Sequence, residues 1–129
     1  MSVNQGVNQY QQINNNEAIA GVTPHRLVQM LMEGALQRMA EAKGAMVRND
    51  LNTKGIALGK AISIIGGLRD SLNMEAEGDL SVKLDTLYEY MVHTLFTANV
   101  SNQSDKVDEV TELMKSIKSG WDGIASKVA

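Results

Sequence analysis

GDLSVKLDTLYEYMVHTLFTAN, residues 78–99, carries apolar side chains at helical spacing on two opposite faces. At about 100° per residue, a first stripe in this region contains Leu80, Leu84, Leu87, Tyr88, Met91, Leu95 and Ala98. A second stripe, roughly opposite, contains Val82, Val92, Phe96 and Val100. One helical bundle buries one stripe of each helix, so this pattern predicts a packed helix with surplus apolar surface.

Three other segments show the same period, and each begins with residues that favour a helix start. Thr23 and Pro24 suit the first helix, because a threonine side chain can cap the first turn and proline needs no amide partner there. The predicted helices cover residues 23–49, 50–73 and 80–101, and a fourth runs from Ser104 to the tail. Linkers of a few residues force neighbours to run antiparallel. The sequence therefore predicts an all-α, antiparallel up-down four-helix bundle over residues 23–129.

The first 22 residues have a different composition, with five Asn, four Gln and one charged side chain, Glu17. Val3, Val7 and Tyr10 recur at helical spacing, but so short a helix needs a supporting surface. We predict a mobile N-terminal arm over residues 1–22 that is able to form a short helix.

The composition excludes several classes of function. No cysteine is present among the 129 residues, which excludes disulfides, thiolate metal sites and a cysteine nucleophile. The net charge of -3 does not favour a nucleic acid partner. No apolar run approaches the roughly 20 residues that span a bilayer, and the N-terminus does not resemble a secretory signal. We expect a soluble cytoplasmic protein without membrane insertion.

The sequence also contains no recognisable catalytic or metal-binding pattern. His25 and His93 are far apart, and Glu89 with His93 does not form the paired Glu-x-x-His motifs of a di-iron bundle. We find no nucleophile elbow and no phosphate-binding glycine loop. We therefore expect no enzyme activity, no metal and no cofactor. Two alternatives remain open from the residues alone: a phosphotransfer module that uses His93, and a helical homodimer.

Surplus apolar surface in a soluble protein often marks a site for a partner. The first helix is also broad, with Met30, Leu36 and Val47 outside its main stripe. A homodimer, or a third helix placed centrally among three neighbours, would also bury such a stripe. The eight methionines slightly favour partner binding, since a flexible thioether packs against varied surfaces.

Gly55, Gly59 and Gly66 form a narrow stripe on the second helix, opposite much of its apolar arc. Each interior glycine costs about 1 kcal/mol relative to alanine. We hypothesise that another backbone approaches this stripe. A solvated face without a specific role is the alternative.

Four segments in collinear order resemble the family of FliS-type flagellin export chaperones. TPHRLVQMLMEGA at 23–35 resembles the start of the family's long helix, and LGKAISII at 58–65 is similar to its second helix. The segment at 78–99 closely resembles the most distinctive part of the family, with Leu-Tyr-x-Tyr-Met and a terminal Ala-Asn, and WDGI at 121–124 resembles its last turn. The chain departs from the family pattern at Met32 and Glu33, and at His93 and Thr94, which replace a commonly basic pair.

The resemblance implies a cytoplasmic chaperone that binds the disordered C-terminal segment of flagellin, prevents premature polymerisation and delivers flagellin to the flagellar type III export gate. It also implies that the flagellin segment wraps around the outside of the bundle, and that the N-terminal arm covers part of this surface when the client is absent. The residues expected to bind the partner are Tyr10, Leu27, Met30, Leu31, Tyr88, Met91 and Leu95. Some of these side chains must also serve the core.

Overall fold

The computed structural model describes residues 21–72 and 78–124, and these residues form four long helices. The helices are α1 (Pro24–Val47), α2 (Leu51–Asp70), α3 (Asp79–Ser101) and α4 (Ser104–Gly123). The four predicted helices are therefore confirmed, with ends that differ by a few residues. The predicted arm, including Tyr10, falls almost entirely outside the described residues, as do the predicted end of the second helix and the last residues of the fourth.

The helix starts explain why each helix begins where it does. The Thr23 side chain accepts a hydrogen bond from the Arg26 amide at 3.0 Å, and Pro24 occupies the first turn. Asp50 caps α2 in the same way, by accepting from the Thr53 amide at 3.1 Å. The fourth helix begins at Ser104, as predicted, but Gln103 occupies the cap position and makes no side-chain cap hydrogen bond.

The four helices form a ring in which each helix packs extensively against two neighbours. Within the described residues, the extensive contacts join α1 to α2, α2 to α3, α3 to α4, and α4 back to α1. Neighbours run antiparallel, since the end of α2 lies against the start of α3 through Arg69 and Asp85. The start of α1 likewise meets the end of α4 through His25 and Trp121. These contacts confirm the predicted up-down bundle.

The core is formed by one stripe from each helix and is aliphatic and sulfur-rich. The buried apolar side chains that share this cluster include Leu31, Met32, Ala35, Met39, Ala42, Met46, Ala57, Leu58, Ala61, Ile65, Leu68, Tyr88, Met91, Leu95, Ala98, Val107, Val110 and Met114. The first predicted stripe of α3 is therefore largely core. Leu80 is the exception, because it lies in the first turn of α3 and is 58% exposed.

His25 of α1 and Trp121 of α4 contact each other through both their rings and their backbones, and this contact closes the ring of helices between α1 and α4. The two rings stack with centroids 4.7 Å apart and an interplanar angle of 7°. His25 Nε2 lies 2.8 Å from the Trp121 carbonyl oxygen, and Trp121 Nε1 donates to the His25 carbonyl oxygen at 3.0 Å. The first contact requires the imidazole proton on Nε2. Two long-range hydrogen bonds and a stacked pair thus fix the start of α1 to the end of α4.

Asp122 extends this connection between the same two helices. Its carboxylate accepts hydrogen bonds from Lys118 Nζ at 2.7 Å and from Gln29 Nε2 at 2.6 Å. The hydrogen bond from Lys118 is the largest cause, and that from Gln29 the next, of a lowered pKa for Asp122. The folded state therefore favours the charged carboxylate.

Lys54 joins α2 to the end of α3 from a buried position. Its Nζ donates to the Asn99 carbonyl oxygen at 3.0 Å and to Asn102 Oδ1 at 3.2 Å. Asn102 ends α3 in the left-handed conformation, with φ of 55°. The C-terminal carbonyls of a helix carry partial negative charge, so a cation is favourable there even when it is buried. Lys54 thus acts as a C-terminal cap supplied by a different helix.

Replacing Lys54 with Met should lower the free energy of unfolding by about 1.5 to 3 kcal/mol, the net contribution of hydrogen bonds to a charged group. The matched control is Lys60→Met, because Lys60 is exposed on the same helix. Its effect should stay within about 0.5 kcal/mol. Urea unfolding followed by circular dichroism measures both values, and equal effects would show that Lys54 does not act as a cap.

The lowered pKa of Asp122 predicts an acid-dependent contribution to stability. This contribution is fully present above the ordinary carboxyl pKa, near about pH 4, and is lost as the pH falls through the lowered pKa of the folded state. Asp122→Asn should therefore be less stable than the parent protein at neutral pH, and the difference should shrink below about pH 4.

Urea midpoints measured across this pH range test the prediction. Asp70→Asn is the control, because the exposed Asp70 side chain makes no hydrogen bond or ion pair within the described part of the chain. A stability difference for Asp122→Asn that stays constant from neutral to acid pH would argue against the proposed linkage.

Candidate docking surface

Large apolar side chains remain exposed on several helices. They are Met30, Val47, Leu51, Ile56, Leu80, Val82, Tyr90, Phe96, Val100 and Ile124. Half of these lie on α3, which is one of four helices. The apolar surface that the bundle does not use is therefore concentrated on α3.

We call the solvent-facing side of α3, defined by Val82, Glu89, His93, Phe96 and Val100, the outer face of α3. Its apolar members are 52% (Val82), 62% (Phe96) and 76% (Val100) exposed. Val82, Glu89 and Phe96 follow each other at intervals of seven residues, so they lie along one line of the helix. The line is apolar at both ends and polar in its middle.

Two polar contacts define which side of α3 faces α2. Arg69 Nε donates to Asp85 Oδ1 at 2.6 Å near one end of the pair, and Lys54 bonds the Asn99 carbonyl oxygen near the other. Val92 is seven residues from both Asp85 and Asn99, so it lies on the same flank of α3 and is partly buried against the core. The flank that packs on α2 is thus distinct from the outer face, which begins beside it.

On α2, the corresponding flank contains Gly55, Ile62 and Arg69 at seven-residue spacing. Gly59 lies one turn beyond Gly55. A β-carbon built on Gly55 or on Gly59 would meet no atom of the described chain within 4 Å. At Gly55 and Gly59 the glycine stripe therefore borders open space beside α3. Within the described chain, no other backbone occupies the position that the sequence hypothesis required.

The predicted partner-binding residues divide between surface and core. Met30 is 47% exposed. Tyr10 lies outside the described residues. Five members of the set are buried within the bundle: Leu27, Leu31, Tyr88, Met91 and Leu95. The last three belong to the inner stripe of α3, directly opposite its outer face. Among the predicted residues that the structure describes, Met30 is therefore the one that lies at the surface, and the five buried residues pack inside the bundle.

Three of the exposed apolar residues of α3, Val82, Phe96 and Val100, belong to the second stripe of the sequence pattern and are not among the predicted partner-binding residues. The available signal was the imbalance between the stripes, since the inner stripe has seven apolar members and the outer stripe has four. The richer stripe is the one that a core recruits. The position of α3, in extensive contact with α2 and α4, leaves Val82, Phe96 and Val100 of the poorer stripe in solvent, whereas Val92 packs partly against the core.

An ion-pair cluster borders the outer face where α3 begins. Arg69 contacts Asp85 and also reaches Glu89 Oε2 at 3.2 Å through its second terminal nitrogen. The Asp85 hydrogen bond is the largest cause of a raised pKa for Arg69, so this guanidinium stays charged. On the other side of α3, Tyr90 donates a hydrogen bond to Glu109 of α4, which is the main cause of a raised pKa for Tyr90.

The structure offers no metal site or membrane span in its described parts. No group of three or more His, Cys, Asp or Glu side chains in residues 21–72 and 78–124 is arranged to hold a metal ion. Among the helices formed by those residues, none combines the length and the apolar character needed to cross a bilayer.

Comparison with known proteins identifies the family. The family model described as flagellar protein FliS matches residues 6–128. The chain belongs to the FliS family. It is 49% identical over 117 residues to the flagellar secretion chaperone FliSB of Pseudomonas aeruginosa, covering 91% of this chain and 93% of that protein.

Two further FliS relatives cover similar shares of the chain. Identity to the flagellar secretion chaperone FliS of Vibrio cholerae is 41% over 115 residues, covering 89% of this chain and 85% of the relative. Identity to the flagellar secretion chaperone FliS of Salmonella typhimurium is 34% over 125 residues, covering 96% of this chain and 93% of the relative. The resemblance read from the sequence motifs is thus confirmed, and the relatives are named as chaperones rather than enzymes.

Gly59→Ala should raise the free energy of unfolding by about 1 kcal/mol, because alanine favours a helix interior and its β-carbon meets no neighbour here. Gly34→Ala is a useful comparison, since its β-carbon would lie 3.5 Å from Ile64 Cδ1 and so remain in ordinary contact. Thermal unfolding of both variants measures the effect. A lower melting temperature for Gly59→Ala would mean that the glycine stripe is not open in the free protein.

Proposed function

We propose that this FliS family member is a cytoplasmic chaperone that binds the disordered C-terminal segment of flagellin, prevents its premature polymerisation and delivers it to the flagellar type III export apparatus. The observation that carries the proposal is the outer face of α3, an exposed apolar line on a helix whose opposite side is already used by the core. The names of the relatives support a role in flagellar secretion.

A disordered client imposes a physical requirement on its chaperone. Ordering each backbone residue costs about 1 to 2 kcal/mol, so the chaperone must supply a long apolar footprint that compensates this cost. The line from Val82 to Val100 spans 18 intervals, or about 27 Å at the helical rise. A footprint of this length contacts several client residues at once, while leaving a modest net affinity that permits release.

The proposal places the client first on the outer face of α3, with the open glycine stripe of α2 beside it. Because glycine has no side chain, the glycine stripe would let a client backbone come closer to α2 than it could if larger residues stood there. Met30 remains a proposed contact on α1. Leu27, Leu31, Tyr88, Met91 and Leu95 would contribute by holding the helices in position rather than by direct contact, and the part of Tyr10 stays a prediction.

Delivery requires a second partner, and we propose that it is a component of the export gate. Client and gate must both reach the chaperone, so the bundle needs surface beyond that used by the client. Exposed Val47 and Leu51 lie at the turn between α1 and α2, at the opposite end of the bundle from His25 and Trp121. These residues show that apolar surface is not confined to α3.

Phe96→Asp should weaken binding of a flagellin C-terminal peptide about 10- to 100-fold, since burial of a large apolar side chain contributes about 1.5 to 3 kcal/mol. Isothermal titration calorimetry measures the affinity, and it should also reveal a negative heat-capacity change. Tyr88 is unsuitable for this test because it is only 2% exposed, so a charge there would disrupt the core.

Ile56→Asp is the matched control for the peptide experiment. Ile56 is 52% exposed and lies on α2, about 100° round the helix from Gly55 on the α3 flank. The Ile56→Asp substitution should leave the affinity for the flagellin peptide unchanged. Equal weakening by both variants would point to a general charge effect, and unchanged binding by a folded Phe96→Asp variant would remove the outer face from the client site. A protein that dimerises and binds no peptide would instead support the homodimer alternative.

A further inference from the structure

The two helical hairpins of the bundle carry opposite net charge. Residues 24–70, which form α1, α2 and their turn, contain seven Lys or Arg and four Asp or Glu. Residues 79–123, which form α3, α4 and their turn, contain four Lys or Arg and eight Asp or Glu. The hairpin that carries the outer face of α3 is therefore the acidic half of the molecule.

Glu89 brings this negative charge into the apolar line itself. It lies seven residues from Val82 and seven from Phe96, which places it about 10 Å from each along the helix axis. Its side chain is 66% exposed. A partner that covers both apolar positions would necessarily cover Glu89 as well.

The only basic group that contacts Glu89 in the described chain does not cancel its charge. Arg69 is held at 2.6 Å by Asp85 and meets Glu89 at the longer distance of 3.2 Å, through Oε2. One guanidinium thus faces two carboxylates, and the cluster keeps a net negative charge. Lys83 is the nearest cation in sequence on the outer side of α3, but it lies about 100° round from Val82, toward the flank of Tyr90.

On the basis of the proposed function, we infer that the client segment on the outer face of α3 presents a lysine or arginine between two apolar side chains, and that Glu89 is the residue that selects it. The apolar side chains of the segment cover Val82 and Phe96. Its cation lies against Glu89, where it neutralises the excess negative charge of the cluster formed by Arg69, Asp85 and Glu89. A segment with an acidic or apolar residue at this point would cover two carboxylates that share a single guanidinium, so one negative charge would remain uncompensated away from water, which is unfavourable.

Glu89 therefore adds selectivity to a surface whose affinity comes from apolar contacts. Like-charge contact with an acidic segment is rejected, and a cationic segment is attracted before it docks.

The test uses the full chain and a synthetic peptide of the flagellin C-terminal segment, with affinity measured by calorimetry at low and high ionic strength. Glu89→Gln should weaken binding about two- to fivefold, as expected for an exposed ion pair, and should reduce the dependence on salt. Glu89→Lys should weaken binding further. Asp85 still holds Arg69 in both variants, so the fold is retained.

Glu112→Gln is the matched control, because it removes the same charge from the acidic half at a different place. Glu112 lies one turn after Asp108, which pairs with Lys43 of α1, so it is on the flank of α4 that is turned away from α3. The affinity of the Glu112→Gln variant for the peptide, and the dependence of this affinity on salt, should match those of the parent protein. Equal effects of Glu89→Gln and Glu112→Gln would show that only the overall charge matters and would overturn the inference.

A second set of measurements identifies the cation on the peptide. Each lysine and arginine of the peptide is replaced by glutamine in turn, and one replacement should lose its effect in the Glu89→Gln background. If the parent protein binds the peptide but no replacement couples to Glu89, the inference fails while the proposed function stands. If the parent protein does not bind the peptide, the proposed function fails, and the inference fails with it.

Discussion

A ring of four helices buries only one face of each helix, and this geometric constraint governs the whole structure. The constraint is mild for α4, whose apolar residues fall within one arc with polar side chains elsewhere. It is severe for α3, which has two stripes. The inner stripe enters the core through Tyr88, Met91 and Leu95, and the outer stripe remains in solvent at Val82, Phe96 and Val100. The exposed apolar surface is thus a direct result of a helix that has more apolar residues than one core can bury.

Polar contacts between helix ends hold the ring in a single register. His25 and Trp121 join α1 to α4 at one end of the bundle, and Lys54 joins α2 to the end of α3 at the other. Apolar packing is non-directional and tolerates small shifts of one helix along another. Hydrogen bonds at fixed positions do not tolerate such shifts, so they determine which side of α3 meets α2 and which side is left outside. The orientation of the outer face of α3 therefore depends on contacts that lie at a distance from it.

The exposed face also differs from an incomplete core in its chemistry. A surface that had merely failed to pack would be apolar throughout, whereas this one has Glu89 and His93 between its apolar positions. Charge within an apolar line opposes non-specific association of such a surface. In the proposed function, the same charge selects the client segment.

The sequence by itself determined the helices, their order and the family. Helix periodicity and the start signals at Thr23 and Asp50 are local, so they can be read without knowing what the segment packs against. The two-stripe character of α3 was visible for the same reason, as was the glycine stripe of α2. Family motifs such as the segment at 78–99 then indicated the chaperone class, which the comparisons with known proteins confirm.

Only the tertiary structure decided which individual side chains of each α3 stripe are covered, because that depends on the neighbours of the helix: Val92 of the second stripe packs partly against the core, and Leu80 of the first stripe stays exposed. Five of the seven site residues that the sequence predicts lie in the core, and three of these five belong to the inner stripe of α3. The roles of His25, Lys54 and Arg69 were also out of reach, since their partners lie 96, 45 and 16 residues away along the chain. Local patterns describe which faces are apolar, whereas long-range contacts decide which of those faces meet water.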